Sequence, residues 1–210
     1  IHEYPAIYNS LLSNIPHRFV DGRYSNLFPK LPAIVLHHQT ANSQTIHNHY
    51  HQLSFGKSYV RLRPGEGTIT VSKILPFGIT TNTYHPFEPP RTLANGVSIL
   101  GYSAHTTENS LEWAIHWNPG EQTTTKYHFF NHLYNDTGEK LGQSDSPSFP
   151  ANQWEEGDRV ISFFTDKFNS QVKQLKVGMY TYPGLENILF IDDSGKPLGT
   201  EVTVRWPEHQ

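Results

Sequence analysis

The sequence predicts an α+β chain: a small N-terminal α/β unit over residues 1–75, a Pro-rich linker over 76–92, and an antiparallel β-sandwich of jelly-roll kind over 93–206. Three observations predict it. Apolar residues recur twice at helical spacing in the first third, whereas the periodic stretches after Leu93 alternate at period two. Between them, Pro76 to Pro90 holds four prolines, a glycine and several threonines, the composition of an extended strap. Fifteen Gly, fifteen Pro, eleven Tyr, twelve Phe and a single Met suit many short strands joined by turns better than a helix bundle.

In the N-terminal unit, Ile7, Leu11 and Ile15 fall at i, i+4, i+8 behind Pro5, and Ile46, Tyr50 and Leu53 repeat that spacing behind Ser43. His17 to Val20 before Asp21-Gly22 reads as a short strand and turn, and Ala33-Ile34-Val35-Leu36 as a buried strand. Residues 58–63 and 68–75 alternate as two strands about Pro64-Gly65-Glu66-Gly67, so the order of elements predicts a small α/β unit. After the linker the expected strands cover 96–104, 111–118, 126–134, 139–144, 158–165, 175–182, 187–192 and 201–206, divided by Asn118-Pro119-Gly120, Thr137-Gly138, Pro183-Gly184 and Asp193-Ser194-Gly195.

The stretch from Tyr127 to Val160 organises that second part. Tyr127, Phe129, Asn131 and Leu133 interleave with His128, Phe130, His132 and Tyr134, two sets of opposite parity for the two faces of one strand. Asn135-Asp136-Thr137-Gly138 supplies a turn, and residues 140–145 run back as the partner. Ser146-Pro147-Ser148-Phe149-Pro150 cannot donate a continuous ladder, so the chain leaves the sheet there and re-enters after Trp154 and Gly157.

The same residues carry a family resemblance. HLYNDTGEKLGQSDSP (132–147), NQWEEGDRV (152–160), VGMYTYPG (177–184) and the upstream ANGVSILGY (94–102) resemble the soluble C-terminal region of bacterial membrane glycosyltransferases of the dolichyl-phosphate-mannose protein mannosyltransferase-like superfamily. That region has an A-N-G-V-x-L-L-G-Y strand, a His-Leu strand end with a D-x-x-G turn, a Q-x-D-x-P segment, W-x-x-G-D/E-x-V and V-G-x-Y. The resemblance covers residues 93 to 206 and departs at Tyr182, where the V-G-x-Y strand more usually runs on into an acidic residue. It implies an extracytoplasmic, non-catalytic accessory domain tethered to the membrane through its parent chain. The parent would use a polyprenyl-phosphate sugar through acidic residues in loops between its membrane helices. Partners would be a glycan or glycosylation acceptor and the transmembrane part of that chain. The first residue, Ile1, is not Met, which fits a fragment of a longer protein.

Charge and cysteine content narrow the classes independently. Sixteen basic and nineteen acidic residues leave a net charge of −3 without a Lys/Arg cluster, so a nucleic-acid partner is not expected. Zero cysteines exclude thiolate chemistry, disulfides and Cys-ligated zinc. Ser110, Ser144 and Ser162 lie in no G-x-S-x-G elbow, and no phosphate-cradling glycine loop or dinucleotide fingerprint is present.

Three groups of side chains remain as site candidates. His47 and His51 would share a helix face as a metal-ligand pair, the alternative being ordinary solvent-facing or interface histidines. Asp136, Asp145, Asp158, Asp192 and Asp193 sit in or beside turns, where calcium ligands and turn caps look alike; calcium is the one candidate ion for them, and no other cofactor is expected. Trp113, Trp117 and Trp154, with Gln143 and Asp145 of the Q-x-D-x-P segment, are candidate ligand-binding residues, because a ring face stacks on a pyranose while amide and carboxylate groups bond its hydroxyls. Core packing is the competing role for the tryptophans. The functions in competition are the accessory domain, a secreted carbohydrate-binding sandwich and a histidine-dependent metalloenzyme.

Overall fold

The structure, a computed structural model, describes residues 10, 12–38, 54–60, 69–74 and 84–206. Among the described residues fifteen strands follow one another: β1 Ser25–Phe28, β2 Ala33–His38, β3 Ser54–Val60, β4 Ile69–Ile74, β5 Tyr84–Leu93, β6 Ser98–Thr106, β7 Ser110–Asn118, β8 Lys126–Tyr134, β9 Lys140–Gln143, β10 Ser146–Pro147, β11 Arg159–Lys167, β12 Gln174–Tyr182, β13 Phe190–Ile191, β14 Pro197–Gly199 and β15 Val202–Arg205. They form a seven-stranded sheet in the order β1-β11-β7-β6-β5-β13-β14, a five-stranded sheet in the order β10-β8-β12-β15 with β9 also on β8, and a separate sheet β2-β4-β3. The pairings between these strands are antiparallel.

The two larger sheets face each other across one core, as alternation along their strands requires. From the seven-stranded sheet come Leu111, Trp113, Ile115, Trp117, Val160 and Phe164, and from the five-stranded sheet Phe129, Leu133, Leu175, Val177, Met179 and Val204. Trp117 meets Phe129 edge-on at 5.5 Å across the gap, and Trp154 from the loop after β10 closes the same pocket at 5.7 Å. Each indole N–H has a partner: Trp113 donates to Asn131 Oδ1 (2.9 Å), Trp117 to Ser162 Oγ (3.1 Å), Trp154 to the Phe149 carbonyl (2.9 Å) and Trp206 to Thr106 Oγ1 (3.1 Å). Buried donors left unmatched would cost about 1–3 kcal/mol each. Asn131, 0 % exposed, also donates through Nδ2 to the Ser144 carbonyl, which ties β8 to the chain crossing after β9.

The α+β expectation is corrected. Among the described residues, helical backbone amounts to the 3-10 turn Ala151–Gln153 and the single residue Ser10. The strands expected near 33–36, 58–63 and 68–75 belong to an antiparallel three-stranded sheet, not to an α/β unit. Of the helix expected from Pro5 to Ile15, Ser10 is helical and 12–14 form a turn, with Ile15 N–H donating to the Leu12 carbonyl at 2.8 Å; residues 5–9 and 11, and the helix expected over 43–53, lie outside the described residues. The physical reason is that strands 33–38, 54–60 and 69–74 pair antiparallel, an arrangement that needs no crossover helix, so the order of elements did not imply an α/β unit.

Two boundaries also differ. β1, from the first thirty residues, pairs with β11, so the expected N-terminal unit contributes a strand to the sandwich. The Arg18 guanidinium pairs with the buried Asp158 carboxylate, and Phe19 N–H donates to Gln153 Oε1 at 2.9 Å, which fastens the segment before β1 to the loop before β11. The strap expected over 76–92 is strand β5 from Tyr84 onward. Its prolines are tolerated because β13 pairs only with Thr92 and Leu93, leaving Pro86 to Pro90 on a free edge, and the ladder to β6 shifts register between Pro86 and Arg91.

Candidate ligand-binding face

β8 and β12 run side by side from Lys126↔Tyr182 to Tyr134↔Gln174, so residues of one parity share the outer face of the five-stranded sheet. That face carries Lys126, His128, Phe130, His132 and Tyr134 from β8, and Lys176, Tyr180 and Tyr182 from β12. Gly178, opposite Phe130, completes it: a Cβ there would lie 2.2 Å from the Phe130 ring and 2.4 Å from the Thr200 carbonyl, so only glycine lets the ring lie down on the strand. The His128 ring stacks on Tyr182 with centroids 4.4 Å apart and planes 11° apart. Tyr180 lies 5.5 Å from His128 and 6.4 Å from Phe130. Toward the other end, Lys176 Nζ sits 4.8 Å over the Tyr134 ring and bonds Glu201 Oε1 at 2.6 Å.

A polar edge adjoins these rings. The hairpin after β8 closes on Asn135, whose Oδ1 accepts the N–H groups of Thr137 (3.1 Å) and Glu139 (2.8 Å), while Gly138 takes φ 83°. β9 then pairs Gln143 with His132, the ladder breaks at residues 144–145, and β10 resumes with Pro147 opposite His128. The break leaves Gln143 and Asp145 exposed beside the rings. Gln143 donates from Nε2 to Asp145 Oδ2 (2.8 Å) and accepts from Lys140 Nζ (2.6 Å). The Tyr180 hydroxyl lies 3.4 Å from Asp145 Oδ2 and 3.5 Å from His128 Nδ1, at the long limit of hydrogen bonding.

Burial among the rings pushes the His128 imidazole below its usual pKa, against the pull of Asp145. His132 is lowered too, first by burial and then by Lys140, with Asp145 and Glu201 opposing. Burial raises the Tyr180 phenol, and Asp145 raises it further. Both imidazoles are thus biased to the neutral form, in which one ring nitrogen donates and the other accepts.

The sequence candidates divide sharply. Trp113, Trp117 and Trp154 are 2 %, 0 % and 2 % exposed, Trp113 and Trp154 stacked on Phe164 and Tyr127 and Trp117 edge-on to Phe129, so the structure places them in the core and not on a ligand surface. Gln143 and Asp145 lie on the outer face as a hydrogen-bonded pair. His47 and His51 lie outside the described residues. Of the turn aspartates, Asp158 is held by Arg18, and Asp192 accepts Ser194 Oγ (2.6 Å) and the N–H groups of Ser194 and Lys196 (both 2.9 Å), the pattern of a turn cap. Among the described residues, no three His, Cys, Asp or Glu side chains are grouped as metal ligands. Sequence reasoning missed His128, Tyr180 and Tyr182 as site residues. The parity of His128, Phe130, His132 and Tyr134 was visible, but not which parity faces out.

Comparison with known proteins adds little. The chain matches no protein-family model, and no curated protein matches it. Among solved structures it is similar to an endonuclease/exonuclease/phosphatase from Beutenbergia cavernae DSM 12333, at 10 % identity and a TM-score of 0.30, covering 72 % of this chain and 34 % of that one. The likeness thus spans about a third of that protein's length and carries no argument about activity. Among the described residues, no helix is long and apolar enough to cross a membrane.

Proposed function

We propose that this chain is a non-catalytic, extracytoplasmic accessory domain of a polytopic membrane glycosyltransferase that uses a polyprenyl-phosphate sugar. One observation carries the reading: the segments that share the resemblance are contiguous in space. Residues 98–102 open β6 in the large sheet, Trp154 packs on Trp117 beneath it, and Val177 to Tyr180 pair with Asn131 to His128. Residues 143–147 flank the other side of β8. That contiguity supports reading the four segments as parts of one domain. The domain's work would be to hold an acceptor or glycan near the membrane-embedded site, or to pack on the membrane part. The exposed row of rings favours a second reading, a secreted carbohydrate-binding module, which differs only in what the sandwich is attached to.

The test is sugar transfer in membranes carrying the parent chain, with and without residues 84–206, using a polyprenyl-phosphate sugar as donor. The expected result is that the deletion raises the acceptor KM or abolishes transfer while the membrane part still binds donor. A parent chain without membrane spans, or transfer indifferent to the deletion, would overturn the proposal.

A further inference from the structure

We infer that the outer face of the five-stranded sheet is a binding platform for an uncharged oligosaccharide, read by Tyr182, His128, Tyr180, Asp145 and Gln143. The inference deepens the accessory-domain reading and rests on it for the class of ligand; the choice of residues rests on the geometry of the face alone.

Continuity is the first argument. Tyr182 stacks on His128 at 4.4 Å, the Tyr180 hydroxyl lies 3.5 Å from His128 and 3.4 Å from Asp145, and Asp145 lies 2.8 Å from Gln143. This row crosses β12, β8 and the edge beside β10, two strand spacings or about 10 Å. That is longer than one sugar ring, so the ligand is at least a disaccharide.

Chemistry is the second. Tyr182 is 48 % exposed, yet its ring is backed by His128, so a stacking surface is presented with little rotamer freedom left to lose on binding. Asp145 and Gln143 are exposed, and the contacts of the Tyr180 hydroxyl are long enough for a ligand hydroxyl to compete for them. Carboxylate, amide and phenol together accept from and donate to vicinal hydroxyls.

Charge is the third. The row has one carboxylate, Asp145, beside Gln143, on which Lys140 is engaged; an exposed cation, Lys126, stands opposite Tyr182 at the other end. A phosphate, sulfate or carboxylate placed at the Asp145 end would meet that carboxylate's repulsion, so the unit bound there is a neutral sugar.

The experiment uses the 210-residue chain with four soluble probes, mannobiose, galactobiose, cellobiose and chitobiose, observed by saturation-transfer NMR and titration calorimetry. At least one is expected to bind. Tyr182→Ala and Asp145→Ala should each weaken that binding about tenfold with an unchanged thermal midpoint, Tyr182→Phe should retain it, and Ile34→Ala on the separate three-stranded sheet should have no effect. Failure of all four probes at millimolar concentration, binding that survives both alanine variants, or preference for a sulfated disaccharide would overturn the inference. Because binding is measured on this chain and sugar transfer on the parent, either can fail while the other stands.

Discussion

Two sets of aromatic side chains use the same two strand layers in opposite ways. On the inner side, Trp113, Trp117, Trp154 and Phe129 are closed off from solvent, and each indole N–H ends on a protein acceptor. On the outer side of β8 and β12, His128, Tyr180 and Tyr182 touch one another yet keep polar atoms and part of their ring area in water. The difference teaches that aromatic richness alone does not locate a sugar site. What separates a core ring from a platform ring is whether its polar atom is satisfied inside the protein and whether one face remains free.

The comparison can be broken most strongly at Trp117. Trp117→Ala removes the ring that meets both Phe129 and Trp154 and leaves Ser162 Oγ only its 3.4 Å contact with Ser25 Oγ, so chemical denaturation should show a loss of about 3–5 kcal/mol. A loss below about 1 kcal/mol would mean that the inner set does not hold the sheets together. Gly178→Ala probes the seam between the sets, because the new Cβ would drive into the Phe130 ring and the Thr200 carbonyl. The expected cost is about 1–3 kcal/mol, with NMR shift changes spreading through His128, Phe130 and Tyr180; a silent substitution would show that the outer rings are not seated on the strand as described.

The smallest effect is that of pH. His128 and His132 have folded pKa values below the unfolded 6.5, so the unfolded chain binds more protons as the pH falls past that value. Their contribution to stability is complete above about 6.5 and is lost as the pH falls through the folded values. Asp145 and Glu201 work against this loss, and Lys140 and Lys176 add to it at His132. The thermal midpoint should therefore drop modestly between pH 7.5 and pH 5, and the slope should flatten in a His128→Gln, His132→Gln double variant. An unchanged slope would mean that the rings do not shelter the imidazoles.

Much of the sandwich was legible in the sequence, and the reason is local. Strand 126–134 and the Asn135 to Gly138 turn follow from period-two alternation and from residues that tolerate positive φ, neither of which needs knowledge of distant chain. Gln143 and Asp145 were named for the amide and carboxylate of the Q-x-D-x-P segment, but the break in the ladder that leaves them exposed was not legible, since 140–145 was expected to run on as a strand. The α/β expectation failed because alternation in the first 75 residues marks strands without showing that they pair antiparallel, and residues 84–93 form β5 because tolerance of proline depends on which edge lacks a neighbour. The tryptophans were ambiguous for a related reason: alternation assigns residues to two faces but leaves open which is covered, and that is decided by the opposing sheet.

Pro147, in β10, has a consequence for the margin of its sheet. It stands at the edge of the five-stranded sheet and lacks an N–H, and the ladder beside it is already interrupted at residues 144–145. A foreign strand approaching this margin finds no regular row of donors and acceptors to extend. Neighbouring copies are thereby discouraged from zipping together along this border at high concentration, and the approach to Asp145 and Gln143 is not roofed by a second chain.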